Sequence, residues 1–509
     1  MACGLSLFAS CSDFLDVKPV GKLIPTEVEE FENILNNVST INYQLMDNNG
    51  GSLFATLGDN VKIGENSAKY EYVATHANIY RFTAYTYKLP YMNPEKPCFF
   101  WENGTYLATG LFNNVIDGVE SVRTEKTNAL ANQVTAQAKA GRAWAYLTMG
   151  LAYGPMYVPG GANTEKTIPY RIAGDANTPN PALATTAELF SLAKKDLEDA
   201  LKYAPATVAN PTRANLAAVQ ALMAYYYMFT RDFEKMYEYS NLAWSSALAQ
   251  KGSVDKLIYD YNQFRYEPNP SAKPSPGTDV EVSLEMKGPD TDMKESYHRE
   301  NLFYRIAANN TGGYPSDEFI ELFDKNKDVR YKLWVLKTLG YSKIVGGVKY
   351  DDGIVFGYYK GNKMNINQGI TYPELLLMRA EAAARTNKLS LALTDLNTLR
   401  HYRYDNKSGS STDLENGASF TQDQLLEEIL KERRRELPIA SFQRLLDLKR
   451  FALDAGKPWS KTTIEHKIGN QVYSASINSE YFIMPIPNNI IDLNPQWGLQ
   501  KDMRPYNPR

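Results

Sequence analysis

The run Glu432-Arg433-Arg434-Arg435-Glu436-Leu437, followed ten residues later by Asp447-Leu448-Lys449-Arg450, constrains this chain more than any other stretch. Thr421 and Gln424 have the spacing of a capping box, which predicts a helix start. From there Leu425, Leu426, Ile429, Leu430 and Leu437 recur at helical spacing and define an apolar face. Successive helical residues turn by about 100°, so three adjacent arginines cannot share one side. At least one lies beside the packed face and needs a carboxylate, for which Glu432, Glu436 and Asp447 are the local candidates. The expected outcome is a structural ion-pair knot of Glu432, Arg434, Arg435, Glu436 and Asp447 between two helices. Pro438 ends the first of them at or near Leu437.

Helical patterns dominate two blocks, roughly 112–250 and 371–455. Thr186 to Ala204 carries Leu189, Leu192, Ala193, Leu197, Ala200 and Leu201 as a stripe that Pro205 stops. Asn215–Phe229 and Phe233–Leu248 are separated only by Thr230-Arg231-Asp232, and so short a turn forces antiparallel neighbours. Leu375–Arg385 and Leu389–Arg400 repeat the arrangement. Alanines set against aromatics, as at Ala224, Tyr225, Phe233 and Ala243, have the packing character of tetratricopeptide hairpins, without a sustained 34-residue period. Between the blocks, Tyr259, Tyr261, Phe264 and Tyr266 lead into Pro268, Pro270, Pro274, Pro276 and Gly277, which is loop chemistry. Val280–Glu285, Lys343–Val348 and Tyr350–Tyr359 read as short strands, and Asn406–Ser411 as an exposed loop. The predicted class is mainly α: a tetratricopeptide-like helical-hairpin scaffold with a large loop-rich region carrying a few short strands.

The arginine run, the short bend, and the second helix with Asp447-Leu448-Lys449-Arg450 and Phe451 resemble the carboxy-terminal signature of the SusD/RagB family. That family comprises surface glycan-binding lipoproteins of Bacteroidetes outer membranes. The bend Leu437-Pro438-Ile439-Ala440-Ser441-Phe442 departs from the family's more polar corner. Tyr481-Phe482-Ile483-Met484-Pro485-Ile486-Pro487, continuing to Ile491-Asp492-Leu493-Asn494-Pro495, is similar to the family's closing segment. Tyr372–Ala382 with Ala392–Asn397 and Arg400 resembles its central hairpin, and Ala136–Tyr153 an earlier helix. The likeness runs from about Cys11 to Pro505, and from 251 to 370 in character only.

The amino terminus is compatible with the same reading. Leu7-Phe8-Ala9-Ser10-Cys11 is similar to a lipoprotein processing site, and Ser12-Asp13-Phe14-Leu15-Asp16 to the family's acidic tether. Residues 1–10 then read as a signal-peptide remnant and 11–30 as a lipidated tether, with Cys11 acylated. Removal of Cys3 and acylation of Cys11 leave Cys98 alone, so no intramolecular disulfide is expected. A net charge of −3 and a pI near 6.0 lack the basic surplus of a nucleic-acid binder. The longest apolar stretch, Ala217–Phe229, is thirteen residues and falls short of the roughly twenty that span a membrane. Membrane attachment is expected through lipid alone.

Catalytic signatures are missing from the sequence. His76, His298, His401 and His466 are isolated, no zinc pattern clusters Cys with His, and neither a nucleophile elbow nor a phosphate loop occurs. Asp290, Asp292 and Glu295 form an incomplete calcium loop and read as solvated surface. No enzyme activity, metal or cofactor is expected. The 35 tyrosines outnumber the 20 phenylalanines and 6 tryptophans together, and many fall outside the helical blocks. Tyrosine joins a stacking face to a polar tip, which suits amphipathic ligands such as sugars.

The resemblance implies capture of an oligosaccharide and its delivery to a SusC-like TonB-dependent transporter at the outer-membrane surface. Peptide or glycopeptide capture by a RagB-like member is the alternative, and a helical protein–protein adaptor a third. In the division it implies, 31–250 is an amino-terminal helical region, 251–370 a loop-rich ligand-binding region and 371–509 the carboxy-terminal region. The family carries a Trp at the helix entrance comparable to Trp101, which makes Trp101 and the nearby Asn103 candidate ligand contacts. Arg81, Asp59 and Asn60 would flank them and Tyr304 and Tyr314 would face them. Trp101 is equally suited to anchoring its helix in the core.

Overall fold

Helix starts in this chain are set by side chains that accept the first free amides. Thr185 Oγ1 accepts from the Glu188 amide at 3.1 Å, Asn215 Oδ1 from Ala218 at 2.8 Å and Asp232 Oδ1 from Lys235 at 3.1 Å. Thr371 Oγ1 takes the Glu374 amide at 3.1 Å, with Pro373 in the first turn. The capping box at Thr421 closes with Gln424 Oε1 accepting from the Thr421 amide at 2.9 Å. The computed structural model describes residues 25–42, 53–268, 275–279, 284–288, 293, 295–307, 313–358 and 364–509. Cys11, Asp290 and Asp292 lie outside them, as does the start of the strand expected at 280–285.

Nine helices make the scaffold: α1 (Tyr106–Val122), α2 (Asn128–Tyr153), α3 (Thr186–Tyr203), α4 (Leu216–Thr230), α5 (Phe233–Lys251), α6 (Tyr372–Arg385), α7 (Leu389–Arg403), α8 (Gln422–Glu436) and α9 (Gln443–Phe451). Each of α1 to α6 packs on the next, and α6 also packs on α7 and α8. The stack therefore passes directly from α5 to α6 across the intervening 252–371 segment. Arg231, with φ of 61°, makes the tight α4–α5 turn. The 26-residue α2 runs through the middle and starts earlier than the Ala136 expected from its pattern. Gly141 lets it approach α1, because a methyl group there would collide with the Phe112 ring.

The loop-rich segment has its own core. Tyr259, Tyr261 and Phe264 are buried with Phe319, Phe323, Trp334 and Tyr358, so these aromatics fill space under the loops. Among the described residues every sheet is a two-stranded antiparallel pair. Ser342–Val345 pairs with Val348–Asp351 around Gly346-Gly347, both with positive φ. Val335–Leu339 pairs with Ile354–Tyr358. The structure thus divides the expected strands Lys343–Val348 and Tyr350–Tyr359 at different points, because Gly346, Gly347 and Gly353 adopt backbone that a strand excludes. Leu284–Lys287 pairs with Arg265–Pro268.

The three arginines of α8 diverge, and all are buried. Arg433 reaches Asp447 of α9 and Glu374 of α6, both at 2.9 Å. Asp447 also holds Arg450 (2.8 Å), which continues to Glu381, then Arg385 and Asp454. Arg434 turns to the early chain, bonding Asn60 Oδ1 at 2.8 Å and pairing with Asp59 at 3.2 Å and Glu318 at 2.6 Å. Arg435 pairs with Glu432 (2.6 Å), which also takes Arg330 (2.5 Å). Glu436 pairs with none of the three. It holds Arg330 and Arg403, and Arg403 extends to Glu300 and lies 3.7 Å from the Tyr261 ring centre.

Removing one member of such a buried set strands its partner's charge, at a cost of roughly 3–5 kcal/mol. Arg435→Ala should therefore lower the melting temperature sharply while the folded fraction keeps its ligand affinity. Titration gives a second expectation. Burial pushes the Glu381 carboxyl up, but Arg450 and Arg385 outweigh it and hold it at about 2, below its ordinary 4.5. That contribution is present above pH 4.5 and is lost as pH falls toward 2, roughly 3 kcal/mol in all. Glu300 acts in the opposite sense. Burial raises it to about 7, against the pull of Arg403 and with the push of Glu436, so stability falls as pH climbs from 4.5 through 7. Between pH 4.5 and 7 the melting temperature of Glu300→Gln should therefore fall less than that of the unsubstituted protein.

Candidate functional site

Helix Glu65–Tyr70 and the hairpin that ends at Asp351 are held together by one carboxylate. Asp352 accepts from the Asn66 amide (2.7 Å) and the Ser67 amide (3.3 Å), the free donors of that helix's first turn. Asn66 Nδ2 donates in turn to the Asp351 carbonyl at 2.6 Å. Gly64 leaves room for this contact, since a methyl group there would collide with the Asp352 carboxylate. The Tyr314 hydroxyl donates to Asp352 at 3.1 Å and accepts from the Tyr341 amide at 2.6 Å.

The result is a face of half-buried tyrosines. The Tyr70 and Tyr350 rings lie 4.4 Å apart at 37°, with the Lys69 ammonium 5.1 Å from the Tyr70 ring centre. Tyr341 and Tyr314 lie alongside, and Lys343 donates to the Tyr70 carbonyl at 3.3 Å. Burial pushes the Tyr314 and Tyr341 phenols up, and the Asp352 charge adds to it. A hydrogen bond with Tyr70 raises Tyr350. All three stay protonated at neutral pH, with the Tyr314 proton given to Asp352, and their half-buried rings border the solvent. Such a surface can stack on a sugar ring and bond its hydroxyls. Among the described residues no three His, Cys, Asp or Glu gather as a metal site, and no helix is long and apolar enough to cross a membrane.

The expected site residues separate into groups. Tyr314 belongs to the face, and Arg81 lies buried behind it, with Tyr72 as neighbour to both. Asp59 and Asn60 are buried in the ion-pair knot, where Asp59 takes Arg444 at 2.7 Å and Lys461 at 2.6 Å. Burial would raise the Asp59 carboxyl, but Arg434 and Arg444 hold it well below the usual range. Trp101 is 4% exposed, with Tyr106 and Tyr153 ring centres 4.9 and 5.3 Å away, so it anchors the helix entrance in the core. Asn103 lies in the π-helical turn Phe100–Thr105, and its side chain is outside the described set. Tyr304 is buried and its amide donates to the Pro211 carbonyl. Tyr70, Tyr341, Tyr350 and Asp352 were not singled out from sequence as ligand contacts. Their signal is weak, because Asp352 and Asn66 are 286 residues apart and only folding makes them partners.

No curated protein matches the chain. A SusD superfamily protein from Bacteroides thetaiotaomicron is 17% identical, with a TM-score of 0.63 over 92% of this chain and 98% of that one. A SusD-like carbohydrate binding protein from Bacteroides vulgatus is 16% identical (TM-score 0.56, 92% and 97% covered). The surface glycan-binding protein A of Bacteroides uniformis is also 16% identical (TM-score 0.58, 92% and 97% covered). These likenesses show a shared fold. The family profile described as "Starch-binding associating with outer membrane" matches residues 13–228. The profile described as "SusD family" matches residues 223–500, more than half of the chain and including the arginine run, and the chain belongs to that family.

Proposed function

We propose that this protein is a non-enzymatic, surface-exposed glycan-binding lipoprotein. It captures oligosaccharide on the tyrosine face and delivers it to a SusC-like TonB-dependent outer-membrane transporter. The observation that carries the binding step is the face itself. Three half-buried phenols, Tyr70, Tyr341 and Tyr350, are set by Asp352 beside ammonium and carboxylate groups. The names of similar structures, carbohydrate binding and surface glycan-binding, support the ligand class. The outer-membrane association in the matching profile's description supports the location.

Stacking and edge contacts of this kind contribute about 0.5–1.5 kcal/mol per ring. Tyr350→Ala and Tyr70→Ala should each weaken oligosaccharide binding roughly 3- to 10-fold in calorimetry, with melting preserved. Unchanged affinity in both variants would move the site away from this face. Binding of a peptide library without any glycan would favour the RagB-like alternative.

Attachment is assigned to lipid on Cys11. Each buried methylene contributes about 0.8 kcal/mol, so two acyl chains hold a protein firmly to a membrane. In cells, Cys11→Ala should shift the protein from the membrane fraction to the soluble one. Retention in the membrane would count against a lipid tether at this residue.

A further inference from the structure

A pocket of about 200 Å³ lies between the 77–99 segment, the Met484–Pro487 closing motif and the 502–506 tail. It is separate from the tyrosine face and shares no lining residue with it. The rings of Tyr80, Phe99 and Tyr506, the thioethers of Met92 and Met484, and Pro485 form its walls. Its three walls are tied by one side chain. Asn488, 1% exposed, donates from Nδ2 to Glu95 Oε1 (2.7 Å) and to the Asp502 carbonyl (2.9 Å), and Oδ1 accepts from the Asp502 amide (2.9 Å). The pocket is therefore built before any ligand arrives, which reduces the ordering cost of binding.

The lining determines what fits. A sugar would bury hydroxyls against carbon and sulfur with few partners, which is unfavourable. A flat apolar ring meets aromatic and thioether walls at favourable contact. An engineered cavity of about 150 Å³ accepts benzene, so the space here suits one six-membered ring with a small substituent. Lys96 and Asp502 are the pocket's charged residues; the other polar side chains are Asn93, Cys98 and the tyrosines, of which Tyr80 and Tyr91 already donate their hydroxyl protons to Asn78 and the Tyr481 carbonyl. Asp502 is taken by Arg504 at 2.8 Å, and Glu95 beside the mouth by Asn488. The Lys96 ammonium has no ion-pair partner among the described residues, and it is exposed at the rim.

We propose that this pocket is a second ligand site, for a single-ring aromatic carboxylate whose ring enters the aromatic walls and whose charge meets Lys96. The proposal goes beyond glycan capture and does not rest on it. The probe is 4-hydroxybenzoate, with benzyl alcohol as the uncharged comparison, followed by ligand-observed NMR and calorimetry on the full chain. Saturable binding of 4-hydroxybenzoate is expected, tighter than that of benzyl alcohol. Lys96→Gln should weaken the acid about tenfold and leave the alcohol unchanged, as loss of one charge-assisted contact requires. Ala77 is exposed at the mouth, so Ala77→Trp should plug the pocket and abolish binding with an unchanged melting curve. Tyr350→Ala should leave the aromatic acid's affinity as it was, which separates this site from the tyrosine face. The proposal is overturned by absence of saturable binding at millimolar 4-hydroxybenzoate. It is equally overturned by affinity that survives both Ala77→Trp and Lys96→Gln.

Discussion

Three consecutive guanidiniums, each buried and each pointing a different way, are the constraint on which the rest of this structure depends. Arg433 ties α8 to α6 and α9 through Glu374 and Asp447, Arg434 reaches back to Asp59 and Asn60, and Arg435 closes on Glu432, which the loop-rich segment shares through Arg330. Replacing such pairs by well-packed carbon can leave stability unchanged or improve it, so their presence is weak evidence of net stabilisation. Their effect is on the alternatives. Any packing that leaves one guanidinium without its carboxylate buries an uncompensated charge, and the helices, early chain and loop segment are held to one arrangement.

That constraint extends to the proposed ligand face by a continuous series of bonds. Asp59 and Asn60, fixed by Arg434 and Arg444, also accept from Ser316 through their carbonyls, at 2.7 Å to its hydroxyl and 2.8 Å to its amide. Ser316 follows the short strand Tyr314-Pro315, which pairs with Val61-Lys62. Tyr314 then bonds Asp352, and Asp352 caps the helix that carries Tyr70. Asp59 and Asn60 thus position the face from beneath it. A binding surface made of loops gains precision when its supports are buried and fully bonded.

The abundance of tyrosine has two physical explanations in the same molecule. Tyr259, Tyr261 and Tyr358 are packed with Phe and Trp into a core for a segment with little regular structure, where large rings bury much area for few residues. Tyr70, Tyr341 and Tyr350 instead keep part of each side chain at the surface. Trp101, on the helix entrance, serves packing, and its neighbours Cys98 and Phe99 contribute to the separate apolar pocket.

The helical scaffold was legible in the sequence because its determinants are local. Capping residues, alanine and aromatic spacing, the three-residue turn at Thr230–Asp232 and Pro438 act within a few positions of where they stand. The divergence of the arginines also followed from helical geometry, together with Glu432 and Asp447 as partners. What only the tertiary structure decided were pairings across the chain: Arg434 with Asp59, Glu436 with Arg330 and Arg403, and Asp352 with Asn66. The same holds for exposure. Helical or strand periodicity gives a residue's side of its element, but whether Trp101 is covered and Tyr350 is not depends on what packs over each from distant sequence. Glycines at 346, 347 and 353 set the strand boundaries through positive φ, a conformation that hydrophobic alternation does not encode.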